Sequence, residues 1–400
     1  MAKQPSPANV RSWWWTRQGL DGSLTGSDAA AVLEHSGWAR SVGGVGPYLT
    51  LFARAGLGRA AIDRALAEQA IHELPSARGC TYVVPASDFA LALTLAREHA
   101  DKPIAQAAKL GVTGKEIDRL CVAIVDALAE GPLDPEGIRE RIGEAARSLG
   151  PEGIKKGMTT TLPLGLGRLQ AQGEIRRIPI DGRLDQQRYR YARWTPNPLA
   201  GSTLTRDEAF IELARRYFRW IGPATLAEFQ WFSALGVKAS KAAIAPLGLV
   251  APFEGDERLM FAEDREALLA HRPSKAAAFQ LVASIDAIVL LRRDHASLLE
   301  PGDVAVEVIE DRSDASLGGL ADLPSHAILD RGRLIGLWEY DTDAQAIVWA
   351  SFVGRPKALV AAVAGTEGWI RDELGDARSF SLDSPKSRAP RIAGLRRLAG

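Results

Sequence analysis

Arginine crowds one short stretch of this sequence. Between Arg168 and Arg193 stand seven arginines against Glu174, Asp181 and Asp185, a surplus suited to phosphate oxygens. Arg176, Arg177, Arg183, Arg188 and Arg190 fall among alternating residues around Asp181-Gly182, as along a β-hairpin. Just upstream, Lys155, Lys156, Thr159, Thr160, Thr161 and Arg168 supply cations and hydroxyls of the kind that touch phosphates and base edges. Trp13-Trp14-Trp15 offers stacking groups, although core packing is the commoner use of such residues. Other chemistries lack support. The six histidines show no HxH or HExxH spacing, and there is no Walker loop, GxGxxG or GxSxG. Gly43-Gly44-Val45-Gly46-Pro47 does not follow a strand in a βαβ unit, which argues against phosphate cradling. Cys80 and Cys121 are too few for a cysteine cluster, so no metal and no cofactor is expected.

The elements that would position these residues come in a recurring order. Glu116–Ala129 reads as an amphipathic helix. Asp134 before Pro135 caps a second helix running to about Ala146, and Gly153–Ala171 reads as a third. Glu174–Ile180 and Gln187–Trp194 then alternate around the Asp181-Gly182 turn. Three helices followed by a hairpin is the order of a winged helix. It recurs with Thr205–Ile221, opened by a Thr205/Glu208 capping box, then Thr225–Ala234, Lys238–Leu247 and a short hairpin, Leu249–Phe253 with Arg258–Phe261. The N-terminal block fits the same scheme, with helices Asp28–Glu34, Tyr48–Ala55 and Arg59–Gln69, and Cys80–Pro85 in the wing. From Pro273 onward strands dominate: Ala287–Leu291, Val304–Ile309, His326–Leu329, Leu334–Tyr340 and Ala346–Phe352. A helix, Pro356–Glu373, and a basic tail follow. The expected fold class is α+β, with tandem winged-helix domains at 1–112, 113–200 and 201–272 and a β-rich, barrel-like domain at 273–400. Pro163 and four glycines inside Gly153–Arg168 favour contact by shape over a rigid reading helix.

Composition bounds the partners. The 400 residues carry 49 Lys+Arg and 49 Asp+Glu, which excludes an all-round polycation but not a local basic stripe. The charges segregate: eleven acids face three arginines over Glu300–Asp343, while Arg378–Gly400 holds six cations against Asp383. That pattern predicts one side prepared for phosphates and an acidic C-terminal sheet turned away. The start, MAKQPSPANV, has no signal-peptide core, and Gln280, Ser284 and Asp286 interrupt the apolar run Ala276–Leu291. A cytoplasmic, nucleoid-associated chain is expected, with no membrane contact and no obligate protein partner.

Three segments give the chain a family resemblance. Arg78-Gly79-Cys80-Thr81-Tyr82-Val83-Val84-Pro85-Ala86-Ser87-Asp88 resembles the RGT-x-H-hydrophobic-hydrophobic-P-A-x-D segment of the AlkZ/YcaQ-type winged-helix DNA glycosylases. Gly222-Pro223-Ala224-Thr225 with Glu228–Phe232, and Asp330-Arg331-Gly332-Arg333 leading to Trp338, are similar to later segments of that family. The resemblance implies tandem winged helices, a C-terminal β-rich domain, and excision of alkylated or cross-linked bases from duplex DNA. It further implies a glutamine-x-glutamine motif that holds a hydrolytic water. Here Arg40-Ser41-Val42 or Gly44-Val45-Gly46 stands at that place, depending on the alignment, and neither contains glutamine. Tyr82 replaces the histidine and Cys80 the threonine. A literal Gln170-Ala171-Gln172 closes a helix before the wing, where solvated glutamines are ordinary.

The resulting expectation is a duplex-DNA-binding protein whose classical glycosylase chemistry is lost or altered. Its contacts would be Arg78, Lys155, Lys156, Arg168, Arg176, Arg177, Arg183, Arg188 and Arg190. Gly43, Gly44 and Gly46 would leave room for a DNA backbone or a flipped nucleotide. Two alternatives stand beside it: an active glycosylase using Arg40, Ser41, Tyr82 or Asp88, and a winged-helix transcription regulator.

Overall fold

The computed structural model describes residues 4–310 and 313–399. Helices Pro7–Arg17, Ala29–Ser36, Gly46–Ala55 and Arg59–Ala67 open the chain around a small antiparallel sheet. Its strands β1 (Ala39–Arg40), β2 (Ile71–Pro75) and β3 (Thr81–Pro85) lie in the order β1-β3-β2. Strand β2 is not announced by an alternating pattern. His72 and Glu73 break the alternation, yet pairing with Val84 and Val83 buries both. All three tryptophans of Trp13-Trp14-Trp15 are buried, so none is free to stack on a base.

A 20-residue helix, Phe89–Ala108, leads into the second block. There a Thr113/Glu116 capping box opens Gly114–Ala127, and Asp134 caps Pro135–Ile142 by accepting the Gly137 N–H at 2.9 Å. The third helix expected over Gly153–Ala171 is in fact two, Gly150–Lys155 and Leu162–Ala171. Gly157 turns the chain at φ +73° between them, and Pro163 then sits in the first turn of the second helix, where its missing N–H costs nothing. Strands β4 (Ile175–Pro179) and β5 (Tyr189–Arg193) form the hairpin, and Leu133 bridges to Tyr191 at its edge.

The third block holds Arg206–Ile221, Leu226–Ser233, Val237–Ile244 and Ala262–Ala270, with capping boxes at Thr205/Glu208 and Thr225/Glu228. Its expected hairpin reduces to two isolated bridges, Val250 to Met260 and Ala224 to Leu259.

The C-terminal region departs furthest from expectation. Strands β6 (Phe279–Val282), β9 (His326–Asp330), β10 (Arg333–Asp341) and β11 (Ala346–Ser351) form an open antiparallel sheet in the order β11-β10-β9-β6, and no barrel closes. A two-stranded ribbon, β7 (Glu307–Glu310) with β8 (Ser313–Ser316), stands apart in chain order between β6 and β9. Closure is unnecessary because helices cover both faces. Ile335, Trp338 and Tyr340 share a core with Gly46–Ala55 and Lys357–Trp369. Leu334, Leu337 and Ala350 pack with residues of Pro7–Arg17 and with Leu395. Ala287–Leu291 is not a strand: Asp286 caps a single helical turn there by accepting the Ile288 N–H. The basic tail is the helix Pro385–Leu398. Its cations turn onto the acidic sheet, with Arg391 on Glu339 at 2.8 Å and Arg396 on Asp341 at 2.6 Å. The segregation of charge read along the sequence is therefore partly cancelled in space. No helix of the described residues is long and apolar enough to cross a membrane.

Candidate functional site

Pairing of β1 with β3 sets Arg40 opposite Tyr82, so the neighbours Arg40 and Ser41 meet the distant Tyr82 at one edge of the small sheet. Arg40 donates to the Thr81 carbonyl at 2.9 Å and stands over the Tyr82 ring at 5.4 Å. The Ser41 hydroxyl donates to Glu73 Oε1 at 2.5 Å. Glu73 Oε2 lies 3.4 Å from Arg177 of β4, whose guanidinium stacks on Tyr189 of β5 at 4.6 Å. A polar chain thus runs from β1 through β2 into the arginine hairpin. Burial opposes the charge on Arg177, but Glu73 together with Tyr189 and Tyr191 outweighs it and holds its pKa above the ordinary value. Burial, reinforced by Glu73, also pushes the Tyr189 phenol up. Tyr82 is buried among Trp38 and Phe232, which raises its phenol pKa and keeps it neutral.

Asp88 lies elsewhere. It accepts Trp38 Nε1–H at 2.7 Å and Arg216 Nε–H at 2.8 Å, tying Arg206–Ile221 to the N-terminal block.

The glycine loop is occupied by the chain itself. A Cβ on Gly44 would stand 2.2 Å from the Ser379 carbonyl oxygen, one on Gly43 2.4 Å from Gln187, and one on Gly46 3.0 Å from Ile285. The segment Arg378–Ser381 is stitched across by Val45 N–H to Arg378 O at 2.8 Å and Ser381 N–H to Val42 O at 3.0 Å. The space expected to admit a DNA backbone is filled by this strap, and the glycines serve its close approach.

The basic residues divide into two sets. Lys155 pairs with Glu152, Arg168 with Asp118, Arg177 with Glu73 and Arg183 with Asp185. Arg78, Lys156, Arg176, Arg188 and Arg190 have no carboxylate partner among the described residues; Arg78 lies over Trp231 at 4.2 Å. Arg188 and Arg190 are exposed on the hairpin. On the helix Leu162–Ala171, Pro163, Gly167 and Gln170 line a groove of about 580 Å³ with Thr159, Thr160 and Tyr191, and Gln170 donates back to Leu166 O. Among the described residues no three His, Cys, Asp or Glu side chains group to hold a metal.

Glu73 and the strap escape the sequence reading. Glu73 is an isolated acid next to His72, visible only once Ile71–Pro75 is recognised as a strand. His72 itself lies buried between Phe89 and Trp194, with neither ring nitrogen hydrogen-bonded. Burial lowers its pKa to about 3, and lowers those of His295 and His326 to about 4. The unfolded chain, near pKa 6.5, takes up protons that these folded imidazoles refuse, so their stabilisation is full above pH 6.5 and is lost as pH falls toward 4. Each should cost about 2 kcal/mol between pH 7.5 and pH 5. His72→Leu should therefore remove about 2 kcal/mol of the acid-induced loss read from urea unfolding; an unchanged pH profile would refute the assignment.

These elements define an α+β protein with a polar strand-edge site bordered by a cationic hairpin. The solved structure of Streptomyces sahachiroi DNA glycosylase AlkZ has the same fold, with a TM-score of 0.68 at 19% identity, covering 94% of this chain and 99% of that one. No curated protein matches the sequence. The profile of the family described as DNA glycosylase AlkZ-like matches residues 45–375, and the chain belongs to that family.

Proposed function

We propose that the protein binds duplex DNA, alkylated or cross-linked duplex included, through a winged helix formed by 113–200, without the glutamine-dependent base excision of its family. The observation carrying this reading is the pair of exposed, unpartnered guanidiniums of Arg188 and Arg190 on a hairpin that borders the Arg40–Tyr82 edge. Arg78, Lys156 and Arg176 extend the same set of free cations. The reading groove offers few base-reading groups, which favours backbone and shape contacts. Arg40 and Ser41, standing where glutamines are expected, spend their donors on Thr81 and Glu73, and Val42 is apolar. Arginine carries no acceptor, and the Ser41 hydroxyl is buried against Glu73, so neither replaces a glutamine in orienting a water for attack on an anomeric carbon.

The test pairs two measurements on purified protein. Gel shifts over a salt series should show duplex binding that weakens steeply as salt rises. Incubation with duplex carrying 7-methylguanine, followed by cleavage of abasic sites, should give no strand breaks above background. Absence of binding at low salt removes the DNA reading. One observation favours a second reading: Glu73 Oε2 has no hydrogen bond, and a buried carboxylate beside Ser41 is suited to activating water. Strand breaks that disappear in Glu73→Gln would establish excision by that carboxylate.

A further inference from the structure

Resting on the DNA-binding reading, we propose that the strap Arg378–Asp383 carries a wedge, Phe380 and Leu382, that enters the base stack of the bound duplex. The strap ends in a turn, closed by the Asp383 N–H on the Phe380 carbonyl at 3.0 Å, and buried and exposed side chains alternate along it. Ser379 is 2% exposed and faces the Gly44 backbone, and the Ser381 hydroxyl donates to Gln187 Oε1 at 2.9 Å. Phe380 and Leu382 point the other way, 44% and 92% exposed. Few forces favour leaving two large apolar side chains in water side by side, and such exposure marks a contact surface.

The surroundings specify the partner. Gln187, which touches the strap, is followed by Arg188 and then Arg190, the two free guanidiniums of the hairpin. Lys386, exposed and without a carboxylate partner among the described residues, lies four positions beyond Leu382. The acid of this stretch, Asp383, is turned inward, accepting the Phe380 N–H and facing Arg391 at 3.5 Å. An apolar tip with free cations close along the chain and on the hairpin segment it touches, and with its carboxylate withdrawn, suits a surface that presents phosphates outside and stacked bases within. An exposed acid would be expected at a tip meant for a basic or neutral protein partner.

The mounting is rigid enough for insertion. Backbone hydrogen bonds to Val42 and Val45 hold it on one side, and Arg378 donates to the Asp185 carbonyl at 2.7 Å on the other. Gly44 permits this docking, because any Cβ there meets the Ser379 carbonyl. The wedge is thereby carried on the Val42–Val45 loop that follows Arg40 and Ser41, so that a distorted base step would be presented beside the site.

The experiment uses the full chain and two duplexes, one with a 2-aminopurine opposite thymine and one with a tetrahydrofuran abasic analogue. Wild-type protein should raise the 2-aminopurine fluorescence as the base unstacks, and should bind the abasic duplex about fivefold or more tighter than intact duplex. Phe380→Ala with Leu382→Ala should abolish both effects while leaving the salt dependence of binding and the melting temperature unchanged, since both side chains are exposed. Gly44→Ala, which keeps both wedge side chains but moves the strap that carries them, should lose the abasic preference as well. Salt-dependent binding by wild type with neither effect, or with both retained in the double variant, overturns the wedge and leaves DNA binding standing. No salt-dependent binding to either duplex overturns both.

Discussion

Asp286→Ala should cost the protein about 3–5 kcal/mol of stability, enough to leave much of it unfolded at 37 °C. Asp286 and Arg54 form a bidentate pair with two contacts of 2.8 Å, and neither side chain is exposed at all. Burial opposes ionisation of this carboxyl, but the Arg54 guanidinium, with hydrogen bonds from Ile288 and Thr50, holds its pKa below the usual range. Arg54 also donates to the Gln18 carbonyl and side chain, so its guanidinium is fully engaged. Removing Asp286 leaves a buried cation without compensation and strips the N-cap of the following turn. Arg54→Met together with Asp286→Ala should recover a large part of the loss, because it removes the stranded charge. Urea unfolding followed by tryptophan fluorescence measures both. The pair joins Gly46–Ala55 to the turn after β6, so the unfolding of the N-terminal block and the C-terminal sheet should coincide. An Asp286→Ala midpoint equal to that of wild type would refute this account.

What could be read along the chain was what is decided within a few residues. The capping box at Thr205, the Asp134–Pro135 helix start and the β4–β5 hairpin depend on near neighbours in the chain, and each stands where its spacing places it. The resemblance segments also fall on real elements, with Thr81–Pro85 as β3 and Arg333–Asp341 as β10. The hidden part is the pairing of charges across long separations. Arg177 finds Glu73 104 positions away, and Arg391 finds Glu339 52 away; no local pattern announces either. Counting arginines along the sequence consequently overstated the free positive charge, and two cations of the tail, Arg391 and Arg396, are spent on the acidic sheet. The strap over Gly43–Gly46 was illegible for the same reason, since glycines that admit a ligand and glycines that admit another part of the chain look alike until the fold is known.

That distinction between free and engaged arginines yields the second large effect. Arg188→Ala with Arg190→Ala should weaken duplex binding roughly fifty-fold at 0.1 M salt and reduce the slope of log K against log salt by about 1.8, since each lost phosphate contact removes about 0.9. Both side chains are exposed and have no carboxylate partner among the described residues, so their whole charge is available to phosphate. Arg168→Ala and Arg183→Ala remove just as much formal charge from the same region. Yet Arg168 already lies 3.0 Å from Asp118, and Arg183 is held by Asp185 and the Leu374 carbonyl. Their loss should leave the slope unchanged, and Arg183→Ala should instead lower the melting temperature, because it leaves mostly buried Asp185 without its partner. Fluorescence anisotropy with a labelled duplex over a salt series separates the two pairs. Equal slopes for the two double variants would mean that only net charge matters, and the hairpin would lose its place as the principal contact. Unequal slopes in the expected order would tie binding to these two guanidiniums, at the border of the strap and the Arg40–Tyr82 edge.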